Sequence, residues 1–370
     1  MKKPTRALGW AMGVSLMAIP LLGITFAQGD PAVSWDKRAA AASLDNRITW
    51  WMSWPSAARD HETFCVSCHT ALPYALARPS LRGALNEHGP SPVEQRLVDN
   101  VVKRVRMWHD VEPFYPDQRN GLPKTSESRG TESILNAVVL AGRDAEAGVL
   151  SDDARKAFAN LWALQMRNGD LAGAWAWLNF RYEPWEAPGS PYYGATLAAL
   201  AVGEAPGGYA SGGDVQDNLR LLKTYLAKHF EEQHLLNRMM LLWASTKLTG
   251  VVTPEQRDAI VGAVLARQGD DGGWATASLG RWQRVDGTPL ETGSDGYATG
   301  LVTFVLEQAA PTSTRQQVQR GLQWLAQHQD KQTGRWLAFS LNKKRDPTSD
   351  PGQFMNDAAT AYATLALTSH

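Results

Sequence analysis

The chain has 370 residues, in which 37 Lys and Arg balance 37 Asp and Glu to a formal charge of zero. Without a basic excess it lacks the electrostatic footprint of a nucleic-acid binder. A hydrophobic share of 44% is that of a globular chain, long enough for one large domain with or without a small appendage.

Lys2, Lys3 and Arg6 open the chain, and an apolar run from Leu8 to Phe26 follows. Ala27 supplies a small residue before Gln28. This order predicts a secretory signal peptide over 1–27 and an exported, periplasmic protein. Pro20 and Gly23 interrupt the run; left uncleaved, it would serve as a membrane anchor.

Residues 28–123 form the next region. Trp50, Trp51 and Trp54 lead into Cys65-Val66-Ser67-Cys68-His69, which holds the only two cysteines. C-x-x-C-H is the spacing of covalent c-type haem attachment. Each thiol can add to a haem vinyl group, and the adjacent imidazole can ligate the iron. The expectation is one covalent haem c on Cys65, Cys68 and His69. The alternatives are a disulfide, which export permits, and a zinc site drawing on His61, His69 or His88. Prolines at 73, 79, 90, 92, 113, 116 and 123 predict an irregular backbone here, apart from an outer helix at 92–107. Met107 and His109 beyond that helix are candidates for the far side of the iron, with Met52, His61 and His88 as further options. A Met ligand would raise the potential.

From 124 onward two kinds of segment alternate. Val318, Gly321, Leu322 and Leu325 follow the helical period with polar residues opposite, as on a half-exposed helix. The segments opening at Thr131, Tyr192, Ser294 and Asn356 are Ala-rich and apolar nearly all round, as on a buried one. The pattern predicts inner helices near 131–142, 190–203, 235–249, 295–309 and 356–368. Outer helices fall near 92–107, 152–166, 214–230, 254–268 and 314–328. The fold class is all-α, a two-layered ring of helical hairpins over 124–370. Pairing the helix at 92–107 with that at 356–368 would close the ring; an open helical array is the alternative.

A repeat runs through the outer helices. Arg320-Gly321-Leu322-Gln323-Trp324-Leu325 leads through Gln329 to Gly334-Arg335-Trp336. Looser copies end in Gln268, Gly272-Gly273-Trp274 and in Gln165, Gly173-Ala174-Trp175. Each is a helix, a Gln at its end, a Gly turn and a Trp. This pattern resembles the QW repeat of the squalene–hopene cyclase and prenyltransferase superfamily. The resemblance implies an α/α-toroid over roughly 130–370, as in exported squalene cyclase-like proteins, and an apolar, isoprenoid-like ligand in the ring.

The family's protonating D-x-D-D-T-A motif has its nearest counterpart in Asn356-Asp357-Ala358-Ala359-Thr360-Ala361, which has Ala where the family has its paired acids. Ser294-Asp295-Gly296 also offers one Asp, and an Asp in that place caps a helix. The toroid has no cysteine for a prenyltransferase zinc. Glu132, Asp295 and Asp357, at the starts of inner helices, are the candidate catalytic acids for a cyclase-like or polysaccharide-acting enzyme. The leading expectation is instead a redox role with an electron-transfer partner protein. A non-catalytic ligand-binding toroid is the third reading.

Overall fold

The computed structural model describes residues 34–369 except 311, together with Met1 and Lys2. Residues 3–33, and with them the expected signal segment and its cut before Gln28, lie outside the described residues. Ser34–His370 is one compact unit. Among the described residues no helix is long and apolar enough to cross a membrane.

The helices are α1 (Lys37–Ser53), α2 (Ala71–Ala84), α3 (Pro92–Arg106), a single turn α4 (Asp117–Asn120), α5 (Lys124–Ala147), α6 (Asp152–Ala163) and α7 (Ser190–Glu204). There follow α8 (Gln216–Lys228), α9 (Leu235–Ser245), α10 (Pro254–Leu265), α11 (Gly296–Ala309), α12 (Arg315–Gln327) and α13 (Asp350–Thr368). A small hairpin, β1 (Ala58–Arg59) and β2 (Thr63–Phe64), pairs antiparallel between α1 and α2.

Six of the described helices form the inner ring, in the order α2, α5, α7, α9, α11, α13 and back to α2. α1, α3, α6, α8, α10 and α12 pack outside them. The layers follow from sequence: α7, α11 and α13 are buried almost throughout, whereas α3 and α12 bury one face only. An all-α toroid is therefore the fold.

Ring closure differs from the expectation. α13 lies between α11 and α2, while the helix at 92–107 is α3, packed on α5 and α6. The stretch expected to be irregular supplies a whole hairpin, α1 and α2. Its prolines misled because Pro73 falls in the first turn of α2, where its missing N–H costs nothing, and α2 carries Pro79 inside the helix.

The repeat explains how the ring is held. Gln165 Nε2 donates to Gly173 O and to Asn218 O of α8, both at 3.0 Å. Gln268 does the same to Gly272 O and to Gln317 O of α12, at 2.8 and 2.9 Å. Gln329 donates to Gly334 O and Asp36 O and accepts from Asp36 N at the N-cap of α1, at 2.9, 2.9 and 2.7 Å. Each Gln thus ties its own turn to the next outer helix, and the third closes the circle. Each Trp indole returns to its own helix: Trp175 to Leu161 O, Trp274 to Val264 O and Trp336 to Leu325 O. Gly173 and Gly334 have φ of 101° and 74°, and a Cβ there would lie 2.1 Å from Leu221 O and 2.3 Å from Ala39 C. Both turns therefore require glycine for backbone sign and for space.

Candidate active site

The starts of α2 and α13 and the loop before α7 meet at one cavity. The C-x-x-C-H loop is fixed at the start of α2. Asn100 of α3 pairs with the Phe64 backbone through both amide atoms, Oδ1 accepting from N at 2.9 Å and Nδ2 donating to O at 3.1 Å. The Trp51 indole donates to Cys65 O at 2.7 Å. Ser67 Oγ accepts from Thr70 N and Ala71 N at 3.2 and 3.1 Å, satisfying donors that the helix start leaves free.

Both cysteines are buried and free thiols. Burial pushes the Cys65 thiol up to about 12 and that of Cys68 well above the usual range. They are not thiolates waiting for an electrophile. His69 stacks on Phe354 with 3.8 Å between ring centres and meets the edge of Trp51 at 4.9 Å. Burial, with Arg47 next, lowers its pKa to about 3, so the imidazole is neutral.

The tautomer follows from hydrogen-bond counting. Thr70 Oγ1 lies 2.7 Å from Asp357 Oδ2 and 2.8 Å from His69 Nδ1. Burial raises Asp357 above the ordinary carboxylate value, opposed by the Arg47 guanidinium and the Thr70 hydroxyl, which favour the ionised form; the hydroxyl has one hydrogen, and a carboxylate so held can only accept. The hydrogen therefore goes to Asp357, and Nδ1–H of His69 donates to the Thr70 oxygen. Nε2 is left with its lone pair. Asp357 is held in turn by Arg47, with Nε and Nη2 at 2.7 and 3.0 Å. A carboxylate that orients a histidine through its second nitrogen is the usual outer support of a metal-ligating imidazole.

Cys65, Cys68 and His69 line this cavity, of about 300 Å³. Its wall is aromatic, with Trp51, Trp54, Tyr115, Phe180, Trp185 and Phe354. Met355, Asn342, Glu183 and Glu186 add sulfur and polar groups. Asn342 bridges two loops across the mouth, accepting from Glu183 N at 2.7 Å and donating to Glu183 O at 2.9 Å.

The expected catalytic acids are engaged elsewhere. Asp295 caps α11, accepting from the Tyr297, Ala298 and Thr276 amides and from Thr276 Oγ1. Burial raises it to about 6, but every acceptor direction is used. Glu132 is fully buried against Arg104, Oε1 to Nε at 2.5 Å. Asp357 is not at a helix start, since α13 begins at Asp350, and it serves Arg47 and Thr70. None of the three lines the cavity. Met107, the C-cap of α3, and the exposed His109 do not line it either, nor does Met52. His61 and His88 are exposed, and the described residues hold no cluster of three or more His, Cys, Asp or Glu with metal-ligand geometry.

Glu183, Trp185, Glu186 and Met355 were not readable as site residues. They stand on loops or a helix start that only ring closure brings to the motif. Burial pushes Glu186 up to about 7, opposed by Lys124; burial also raises Glu183. Because the folded Glu186 lies above its ordinary 4.5, the folded chain holds this proton more tightly than the unfolded one. Its contribution to stability is full below 4.5 and is lost as pH rises through about 7. Denaturant midpoints of the wild type and Glu186→Gln across this window should converge at acid pH and separate at alkaline pH, the variant being the more stable. A constant difference would contradict the assignment.

No family model and no curated protein matches the chain. Among the solved structures similar to it are two glycosidase variants. One is an unsaturated glucuronyl hydrolase variant with the saccharide dGlcA-Glc-Rha-Glc, at TM-score 0.51 and 12% identity over 90% of this chain and 95% of that one. The other is a glycosidase variant, at TM-score 0.47 and 12% identity over 91% and 98%. At such identity the likeness to the glucuronyl hydrolase is one of fold, an α/α-toroid, and is not specific to the cyclases that the repeat resembles.

Proposed function

We propose that this chain carries one covalent haem c at the mouth of the toroid and works as an exported one-electron redox protein. Cys65 and Cys68 would hold the group by thioethers and His69 Nε2 would ligate the iron. The observation that carries the reading is the relay from Arg47 through Asp357 and Thr70 to His69. It fixes a neutral imidazole with its lone pair on the nitrogen left for a ligand. Bound there, the haem supplies one-electron chemistry. The residues would supply the rest: two free thiols at the correct spacing, a largely aromatic wall, and Met355, a methionine lining the same cavity, as a second ligand. Met107 and His109, the candidates from sequence, do not line this cavity.

The chain made in a host with c-type haem maturation should give a c-type pyridine haemochrome band that survives acid-acetone extraction. Cys65→Ala with Cys68→Ala should be colourless. A colourless wild type would overturn the reading.

A second reading rests on the carboxyls. Glu186, held partly protonated near neutral pH, and Glu183 face one aromatic cavity. A protonated acid beside a second carboxylate is the requirement for glycoside cleavage. Under this reading a colourless wild type hydrolyses glycosides and Glu186→Gln does not; a haem-bearing protein without hydrolase activity rejects it.

A further inference from the structure

A second cleft, of about 590 Å³, opens where the start of α9 meets the end of α10 and the loop 278–281, and it shares no lining residue with the C-x-x-C-H cavity. Three guanidiniums line it from three places in the chain: Arg238 of α9, Arg267 just after α10 and Arg281 of the loop. Two are fixed by a share of their own donors. Arg238 Nη2 donates to Glu231 O at 2.7 Å, and Arg267 Nε donates to Ser278 O at 3.0 Å. The Arg281 guanidinium has no hydrogen bond or ion pair, and the buried Arg238 Nε has no partner, among the described residues. Arg281 N donates to His234 Nδ1 at 3.1 Å. Burial, with Arg281 next, lowers the His234 pKa, so the ring is neutral and its hydrogen sits on Nε2, a further donor. Trp282 sets the loop: Nε1 donates to Thr276 O at 3.0 Å, the ring centre lies 4.4 Å from that of His234, and a Cβ on Gly280 would come within 2.1 Å of the indole.

We infer that this cleft binds a small organic anion through its phosphate or carboxylate group, held by Arg281, Arg267, Arg238 and His234. The inference stands whether or not the other cavity holds a haem. Surface arginines are commonly solvated singly or paired at little gain. These three converge on one concavity, where like charges repel one another and an anion relieves the repulsion. The two carboxylates on the same lining are already engaged. Glu231 Oε2 accepts from Arg238 Nη2 at 3.3 Å, and Glu232 Oε2 lies 3.1 Å from His229 Nδ1. Three guanidiniums against two carboxylates leave one net positive charge. The unspent groups are donors, and an oxyanion can accept from several guanidinium N–H groups at once with the added strength of charge. The ligand is a small anion rather than a nucleic acid, because the chain has a formal charge of zero and these cations are gathered in a single cleft.

Calorimetric titration of the purified full chain with inorganic phosphate and, separately, with citrate tests this at low ionic strength. At least one should saturate a single site. Saturation by phosphate alone identifies a phosphate-bearing ligand, and saturation by citrate alone a carboxylate-bearing one. Arg281→Gln removes no hydrogen bond or ion pair and so should keep the fold, yet it should weaken binding at least about tenfold, the scale of a hydrogen bond to a charged group. Arg155→Gln, which removes the same charge from an exposed position on α6, should leave binding unchanged. In the wild type, NMR titration should move the backbone amides of Ser278 to Arg281 and the His234 Nε2 signal first, a readout that needs no variant. Failure of both anions to saturate, equal weakening by Arg155→Gln, or shifts that begin elsewhere would each overturn the assignment, and none of these bears on the haem reading.

Discussion

Glu132→Ala should lose about 3–5 kcal/mol of stability, the cost of leaving one member of a buried ion pair uncompensated. Glu132 and Arg104 both have side chains at 0% exposure. Arg104 spends its donors on Glu132 Oε1 and Oε2 at 2.5 and 3.2 Å, on Thr63 Oγ1 at 2.6 Å and on Glu112 O at 2.7 Å. One guanidinium therefore joins outer helix α3, inner helix α5 and the strand that leads into the C-x-x-C-H loop. Removing the carboxylate leaves a buried cation, with Arg129 3.7 Å from the vacated oxygen adding like charge. Glu132→Gln keeps the shape and an acceptor and should lose less. Replacing both Glu132 and Arg104 by Met should recover part of the loss, because the fully buried cation is then gone and only the partly exposed Arg129 loses a carboxylate. Urea unfolding reads all three, with unchanged m-values identifying a change in stability. A loss below about 1 kcal/mol in Glu132→Ala, the scale of an exposed pair, would show that the site admits water.

The fold was legible where it is periodic. The helical period of α12 and the Ala-rich runs of α7, α11 and α13 placed nearly every helix from 124 onward, because burial on one side or all sides leaves a direct trace in sequence. The Gln-Gly-Trp repeat was legible because it is local: each Trp returns to its own helix and each Gln to its own turn. The other half of each Gln's bonding was not. Gln329 reaches Asp36 across 293 positions, and that bond makes the ring close on α1. Pro73 and Pro79 hid α2, since a proline in a first turn and one tolerated within a helix both read as breaks.

The site divides the same way. Cys65, Cys68 and His69 announced themselves by spacing, and the capping role of Asp295 by its place before Gly296 and Tyr297. Glu132 and Asp357 carried no local sign of what they do. Their partners Arg104 and Thr70 come from other elements, and a buried acid with a basic partner has the same one-letter code as a free one. Glu186 was invisible for a related reason. It is a loop residue whose neighbourhood is made by closure of the ring, and its raised pKa comes from that burial.

Asp357→Ala should act on stability and on His69 together. Arg47 and Asp357 bridge α1 and α13 with side chains 14% and 3% exposed, so stranding Arg47 should cost about 3 kcal/mol. The second effect is at Thr70. With its acceptor gone, the Thr70 hydroxyl is free to donate to His69 Nδ1, and the imidazole proton then moves to Nε2, the position a metal needs. Nitrogen-15 NMR of His69 reads this without any cofactor. The wild type should show a protonated Nδ1 and a bare Nε2, and Asp357→Ala should shift the pair toward the other tautomer. Thr70→Val should lose the Nδ1 partner while keeping the Arg47–Asp357 pair, and so perturb the histidine with a loss of only about 1–2 kcal/mol. If His69 keeps the same tautomer in both variants, the ring is set by Phe354 and Trp51 packing rather than by the carboxylate. If the tautomer follows Asp357, the acid expected to give up a proton in catalysis does the opposite. It stays ionised, so that a histidine 288 positions earlier keeps a free lone pair.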